Sequence, residues 1–429
     1  MRYGLALVFA VMSWPAFAQS LPAGASSQQP ESVEQRVRFL EEQVKALQAE
    51  LAAIRSGQLV APATAQQPPA PREAAPSAAS KGDEQQPSTL PVYGTPSTKV
   101  FNPDIGIIGN FLNANGESRG GSPTLAPTPF ATLQESEVSL QAIVDPFARA
   151  DFFLAVGEEG IEVEEGFVTF PSVPGGFLVK VGKMRANFGR LNAFHNHTLP
   201  WTDRPLVMYN LLGGATQDPD TGIKDAGVSV SRLIPARGLF LEATGEVYRG
   251  DSGTLFQSHR RQDFSTIAHL RGYGDLTESS NLEIGSSYAR GHNELGSDFL
   301  TELYGADITY RWRPLRRAIY RSFTGRAEMI WSRREELDHT GAAFGTFLSA
   351  DYKFSRRWIA GGRYDWSERA QQPDIRDRGV SAVLTFWPSE FSQLRGQYRR
   401  TRYGDKEQPA NELIFQVLFT IGAHGAHAF

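Results

Sequence analysis

From Lys99 to Phe429 apolar and polar residues alternate with a period of two, the spacing at which successive side chains of a β-strand face opposite ways. Leu239, Leu241, Ala243 and Val247 interleave with Glu242, Thr244 and Glu246. Trp358, Ala360, Gly362, Tyr364 and Trp366 interleave with Arg363 and Asp365, and Leu413, Phe415, Val417, Phe419 and Ile421 close the series. The pattern predicts sixteen strands, centred near residues 106, 138, 152, 166, 180, 229, 243, 268, 285, 307, 327, 349, 362, 382, 396 and 416. Tight turns are expected at Asp145-Pro146, Pro171 to Gly176, Ile234 to Gly238, Phe354 to Arg357 and Trp387 to Ser392. The connections between them read as mostly longer and polar, with Glu158-Glu159-Gly160 as a short exception.

Strands of about 9–11 residues, apolar outside and polar inside, are what a barrel in lipid requires. Hydrocarbon offers backbone groups no partners, so only a helix or a closed sheet can cross it. A soluble β-sandwich would alternate as well. Here, however, aromatics gather near strand ends, as at Tyr304, Tyr310 and Trp312 or Trp358, Tyr364 and Trp366, in the manner of interfacial girdles. Phe429 is a terminal aromatic of the kind that outer-membrane assembly machinery reads. The expected fold is therefore all-β: a transmembrane antiparallel β-barrel of sixteen strands over residues 99–429.

Upstream the period changes. Val33, Val37, Leu40, Val44, Leu47, Leu51 and Ile54 follow a 4-3-4-3-4-3 spacing, an a/d seam. Ser32 with Gln35 offers a capping box before it, and Gly57 stops it. Residues 31–57 thus read as a short α-helical coiled coil, or as a helix packed on its own barrel. Valine at a with leucine at d favours two strands, a preference that trimeric barrel contacts could override. Residues 58–98, rich in Ala, Pro, Gln and Ser, read as a disordered linker. At the start, Arg2, the apolar run Leu5 to Met12 and Ala16-Phe17-Ala18 mark residues 1–18 as a signal peptide. An even strand number places both barrel ends, and hence the coiled coil, in the periplasm.

Composition narrows the function. No stretch after the signal peptide approaches the roughly 20 apolar residues of a membrane helix. The absence of cysteine excludes disulfides and thiolate metal sites. A net charge of −4 argues against nucleic acid as a partner. No spacing sets a nucleophile against a base, so no enzyme is expected, and no cofactor.

The longest connection runs from Met184 to Asp225. In a sixteen-stranded pore the third outer loop commonly folds inward, making Arg185, Arg190, Asp203 and Arg204 candidates for a pore constriction. Asp203 and Arg204 could equally pin the loop to the wall. Arg149, Arg271, Arg326, Arg363, Arg395 and Arg399 are expected on the lumen wall, opposite Asp151, Glu162, Glu164, Glu242, Glu246, Asp307, Glu328 and Asp365. A wall of mixed sign gives weak selectivity. His195, His197, His424 and His427 invite a metal reading, but two histidines on one loop make no zinc site without a third ligand.

The segment Val181 to Val207, VGKMRANFGRLNAFHNHTLPWTDRPLV, resembles the phosphate-selective porin O and P family through Gly182, Lys183, Arg185, Phe188 and Gly189. The resemblance implies a sixteen-stranded, trimeric, passive pore for small solutes. The expected function is diffusion of small hydrophilic solutes, phosphate-like anions included, through a barrel narrowed by the 185–225 loop. Outer-membrane lipid and two further copies of the chain are the expected partners. Two other readings stay open: an outer-membrane protein for metal (zinc) uptake, and a closed barrel that tethers the cell envelope.

Overall fold

The computed structural model describes residues 103–117, 131–157, 160–213, 221–404 and 408–422. The signal peptide, coiled coil and linker expected over residues 1–98, with His424 and His427, lie outside the described residues. The sixteen strands are β1 (Asp104–Glu117), β2 (Ala131–Asp145), β3 (Ala148–Gly157), β4 (Gly160–Val173), β5 (Phe177–Arg185), β6 (Lys224–Ala236), β7 (Leu239–Tyr248) and β8 (Ser265–Thr277). They continue as β9 (Ser280–Asn293), β10 (Gly296–Trp312), β11 (Ser322–Glu335), β12 (Thr340–Lys353), β13 (Trp358–Arg369), β14 (Gln372–Ser389), β15 (Ser392–Tyr403) and β16 (Gln408–Gly422). Each pairs antiparallel with its chain neighbours. β1 also pairs with β16, from Gly106 opposite Gly422 to Glu117 opposite Asn411, so the sheet is a closed barrel without an edge. All sixteen predicted centres fall inside these strands.

Burial runs opposite to that of a soluble protein. On β14, Val380 and Leu384 are 57% and 45% exposed while Ser381 and Thr385, the residues that follow each, are buried. On β15, Leu394 and Tyr398 face out and Gln393, Arg395, Gln397 and Arg399 face in. Leu413, Phe415, Val417 and Ile421 form the exposed face of β16. Soluble proteins rarely leave a contiguous apolar surface larger than a few hundred Å² open to water. Hydrocarbon around the barrel makes the pattern favourable. Aromatic pairs border this band at both ends of the strands. Phe344 lies tilted between Trp331 and Trp366, with ring centroids 5.1 and 5.6 Å away. Towards the opposite rim Trp358 meets Phe386 at 4.5 Å.

The connections differ from expectation in two ways. On the rim away from both ends of the sheet, residues 294–295 and 370–371 alone join β9 to β10 and β13 to β14. Among the described connections there, only 186–223 and 249–264 are long. Strand β4 also continues through Pro171, where a turn was expected. The register shifts between Phe170 and Val173, so the proline sits in an irregularity where its missing N–H breaks no ladder bond. The turn itself is 174–176, with Gly175 and Gly176 at φ 90° and 75°.

Candidate functional site

The chain leaves β5 at Arg185 and turns into the barrel. Gly189 makes the bend at φ 58°, and a Cβ there would sit 1.9 Å from Glu328 Oε1. Only glycine fits such a conformation and approach. Phe188, Leu191, Leu199, Trp201, Val207, Met208 and Leu211 of the loop are buried against Ile267, Ala289, Leu303, Ile330 and Phe347 of the wall. Trp201 meets Phe347 edge-on at 5.5 Å. These wall residues occupy inward positions that would otherwise be polar, so the loop brings its own apolar core into the lumen.

Polar contacts fix it round the wall. Arg185 Nη2 lies 2.7 Å from Glu164 Oε1 on β4. Asn187 donates through its backbone and side-chain nitrogens to Glu246 on β7, at 2.9 and 2.7 Å. Gly189 N donates to Ser287 Oγ on β9 at 2.8 Å, and Arg190 pairs with Glu283 on the same strand. Asp203 is the far anchor. Its Oδ2 accepts from Arg363 on β13 at 2.9 Å and from Arg399 on β15 at 2.7 Å. Its Oδ1 accepts from Gln397 at 2.6 Å. Asn210 Nδ2 donates to Asp377 Oδ2 on β14 at 2.8 Å. Arg204, by contrast, holds the loop to itself, donating to Asn196 Oδ1 and to the carbonyls of Leu191 and Phe194.

The residues expected at a constriction therefore separate. Arg190 borders open space, whereas Arg185, Asp203 and Arg204 are buried in the loop's attachments. The expected wall arginines separate too. Arg149 and Arg326 pair with Asp151 and Asp351 and stay partly exposed. Arg363 and Arg399 are buried beneath the loop, and Arg399 also binds Glu412 at 2.6 Å. Arg395 donates to the Trp201 carbonyl and to Gln416, both at 2.8 Å.

An open-sided pocket remains beside the loop, between β5 and β10 in the half nearer the short turns. Arg190, Phe194 and Asn187 form its loop side. Its charged lining is balanced: Lys180, Arg190 and Arg271 against Glu242, Glu283 and Asp307. Arg271 pairs with Glu242 at 2.5 Å.

His195 and His197 turn back towards β2 and β4. His195 Nε2 lies 2.7 Å from Glu165 Oε1, and its Nδ1 lies 2.8 Å from Glu137 Oε2 and 3.1 Å from Glu164 Oε2. His197 Nδ1 is 3.4 Å from the same Glu137 oxygen. Glu135, Glu137 and Glu165 had not been singled out from the sequence. The one local clue is the consecutive pair Glu164-Glu165, which breaks the alternation. In β4 the register passes from Phe153 opposite Glu165 to Leu154 opposite Val163, leaving Glu164 without a partner residue. That bulge turns both carboxylates inward, and both are buried.

No family model matches the chain. A curated protein of Aquifex aeolicus (strain VF5), described as an uncharacterized protein, is 31% identical over 341 residues, covering 69% of this chain and 70% of its own. Among solved structures, the loop L8 deletion mutant of OmpT, an outer membrane protein of Vibrio cholerae, aligns with TM-score 0.49 at 11% identity over 75% of this chain and 99% of its own. The anion-selective porin from Comamonas acidovorans aligns with TM-score 0.48 at 10% identity over 74% and 98%. Salmonella typhi OmpF in complex with daunomycin gives 0.46 at 8% identity over 74% and 97%.

Proposed function

The chain belongs to the same family as the uncharacterized Aquifex aeolicus protein, and we propose that it is a passive outer-membrane pore for small hydrophilic solutes. The observation that supports this reading is the open-sided, polar-lined pocket between the inward loop and strands β5 to β10. Solutes pass between that loop and strands β5 to β10, past Arg190 and its partner Glu283. Asp203 and Arg204 hold the loop in place rather than meeting solute. Three cations facing three carboxylates give a transverse field with little preference for either sign. Phosphate is then one small solute among others. The assembly proposed is a homotrimer through the barrel wall and the 31–57 coiled coil.

Swelling of liposomes carrying the purified, refolded protein tests the reading. Small uncharged sugars and amino acids should enter at rates that fall with solute size, and millimolar phosphate should leave those rates unchanged. Swelling no faster than that of protein-free vesicles overturns it. A second reading has its own support: the apolar packing of Trp201, Met208 and Leu211 inside the lumen favours a closed barrel that serves as an envelope tether. The same assay separates the two, because a closed barrel passes nothing.

A further inference from the structure

The loop meets β2 and β4 through an unusual concentration of buried acid. Glu135 and Glu137 lie two apart on the inner face of β2, and the β4 bulge adds Glu164 and Glu165. Four buried carboxylates thus surround His195 and His197, and Arg185 pairs with one oxygen of Glu164. Burying unneutralised carboxylates together is strongly unfavourable, so this arrangement calls for further positive charge.

The orientation of His195 says where that charge belongs. With an Nε2–H directed at Glu165 Oε1, 2.7 Å away, Nδ1 faces Glu137 Oε2 and Glu164 Oε2, where it can offer them a proton or offer a cation its lone pair. Histidine ligands of metals are typically oriented this way, one ring nitrogen donating to a carboxylate and the other binding the ion. Glu137 Oε2 and Glu164 Oε2 converge on His195 Nδ1 at 2.8 and 3.1 Å, and none of the three atoms has a hydrogen bond of good geometry. Both glutamate side chains are more than nine-tenths buried. The three atoms lie within 4.8 Å of one another. A tetrahedral ion with ligands at about 2.0–2.2 Å needs ligand atoms roughly 3.3 Å apart, a small outward shift from the distances here.

We propose that Glu137, Glu164 and His195 bind one divalent first-row transition-metal ion, with Zn²⁺ suited to the imidazole and carboxylate set. His197, close to Glu137, is the nearest further ligand. The ion joins the loop to β2 and β4 and acts as a clasp on the inward loop. This site does not depend on solute passage, so it stands or falls separately from the pore.

The test uses the full-length protein, refolded in detergent, stripped with a chelator and titrated with Zn²⁺ alone. Calorimetry and elemental analysis should give one tightly held Zn²⁺ per chain. The Glu137→Gln/Glu164→Gln variant should lose that site or bind at least about tenfold more weakly. A His424→Ala/His427→Ala variant should keep it. No stoichiometric Zn²⁺ on the wild type overturns the proposal, as does equal binding by the glutamine variant. If the glutamine variant does not fold, X-ray absorption at the zinc edge of the wild type decides. A shell of nitrogen and oxygen with imidazole scattering supports the site, and a shell of water oxygens alone overturns it.

Discussion

At the residue scale, Asp203 shows how a loop can be held inside a membrane barrel. It carries one charge between two buried guanidiniums, and removing it leaves both without their shared partner. Breaking a buried pair in this way costs about 3–5 kcal/mol. Asp203→Asn should therefore unfold in detergent at markedly lower temperature at neutral pH, as read by the heat-dependent shift of folded barrel on gels. Burial alone would raise the Asp203 carboxyl, but Arg363 and Arg399 hold it down to about 2. That lies below the value of about 3.9 for aspartate in an unfolded chain. The contribution is therefore fully present above about pH 4 and is lost as pH falls through 2. The gap between wild type and Asp203→Asn should narrow over that interval, and a gap that widens there contradicts the assignment.

At the element scale, the strands were legible because two solvents act on them. Lipid selects Val380 and Leu384 on one face of β14, water and the loop select Ser381 and Thr385 on the other, and period two is written directly into the chain. This predicts an asymmetry between the faces. Leu384→Arg places a charge in the apolar band and should cost about 2–4 kcal/mol, measured by urea unfolding in lipid vesicles. Thr385→Ala, one residue on, should cost far less. Equal losses contradict the outward placement of Leu384. The lengths of the outer connections were less legible, since short segments such as Glu294-Leu295 read alike as turn or strand end. The cluster around His195 was least legible. Its acids come from β2 and β4, and only the closed sheet and the inward loop bring them to the histidines. Arg363 and Arg399 were read as wall residues and lie buried beneath the loop; nothing local distinguishes an arginine that meets water from one covered by a distant loop.

At the scale of the whole molecule, the barrel combines a wall closed by β1 and β16 with a loop packed into the lumen beside a polar-lined pocket. Closure satisfies the backbone in hydrocarbon. The loop's attachments, from Glu164 on β4 to Asp377 on β14, fix the size of what remains. On the proposed function, that remaining space is a narrow and electrically balanced passage. Current through single refolded molecules in a planar lipid bilayer tests this most directly. The account predicts discrete, long-lived conductance steps, with a reversal potential near zero under a potassium chloride gradient. A membrane that stays silent after insertion of folded protein contradicts it.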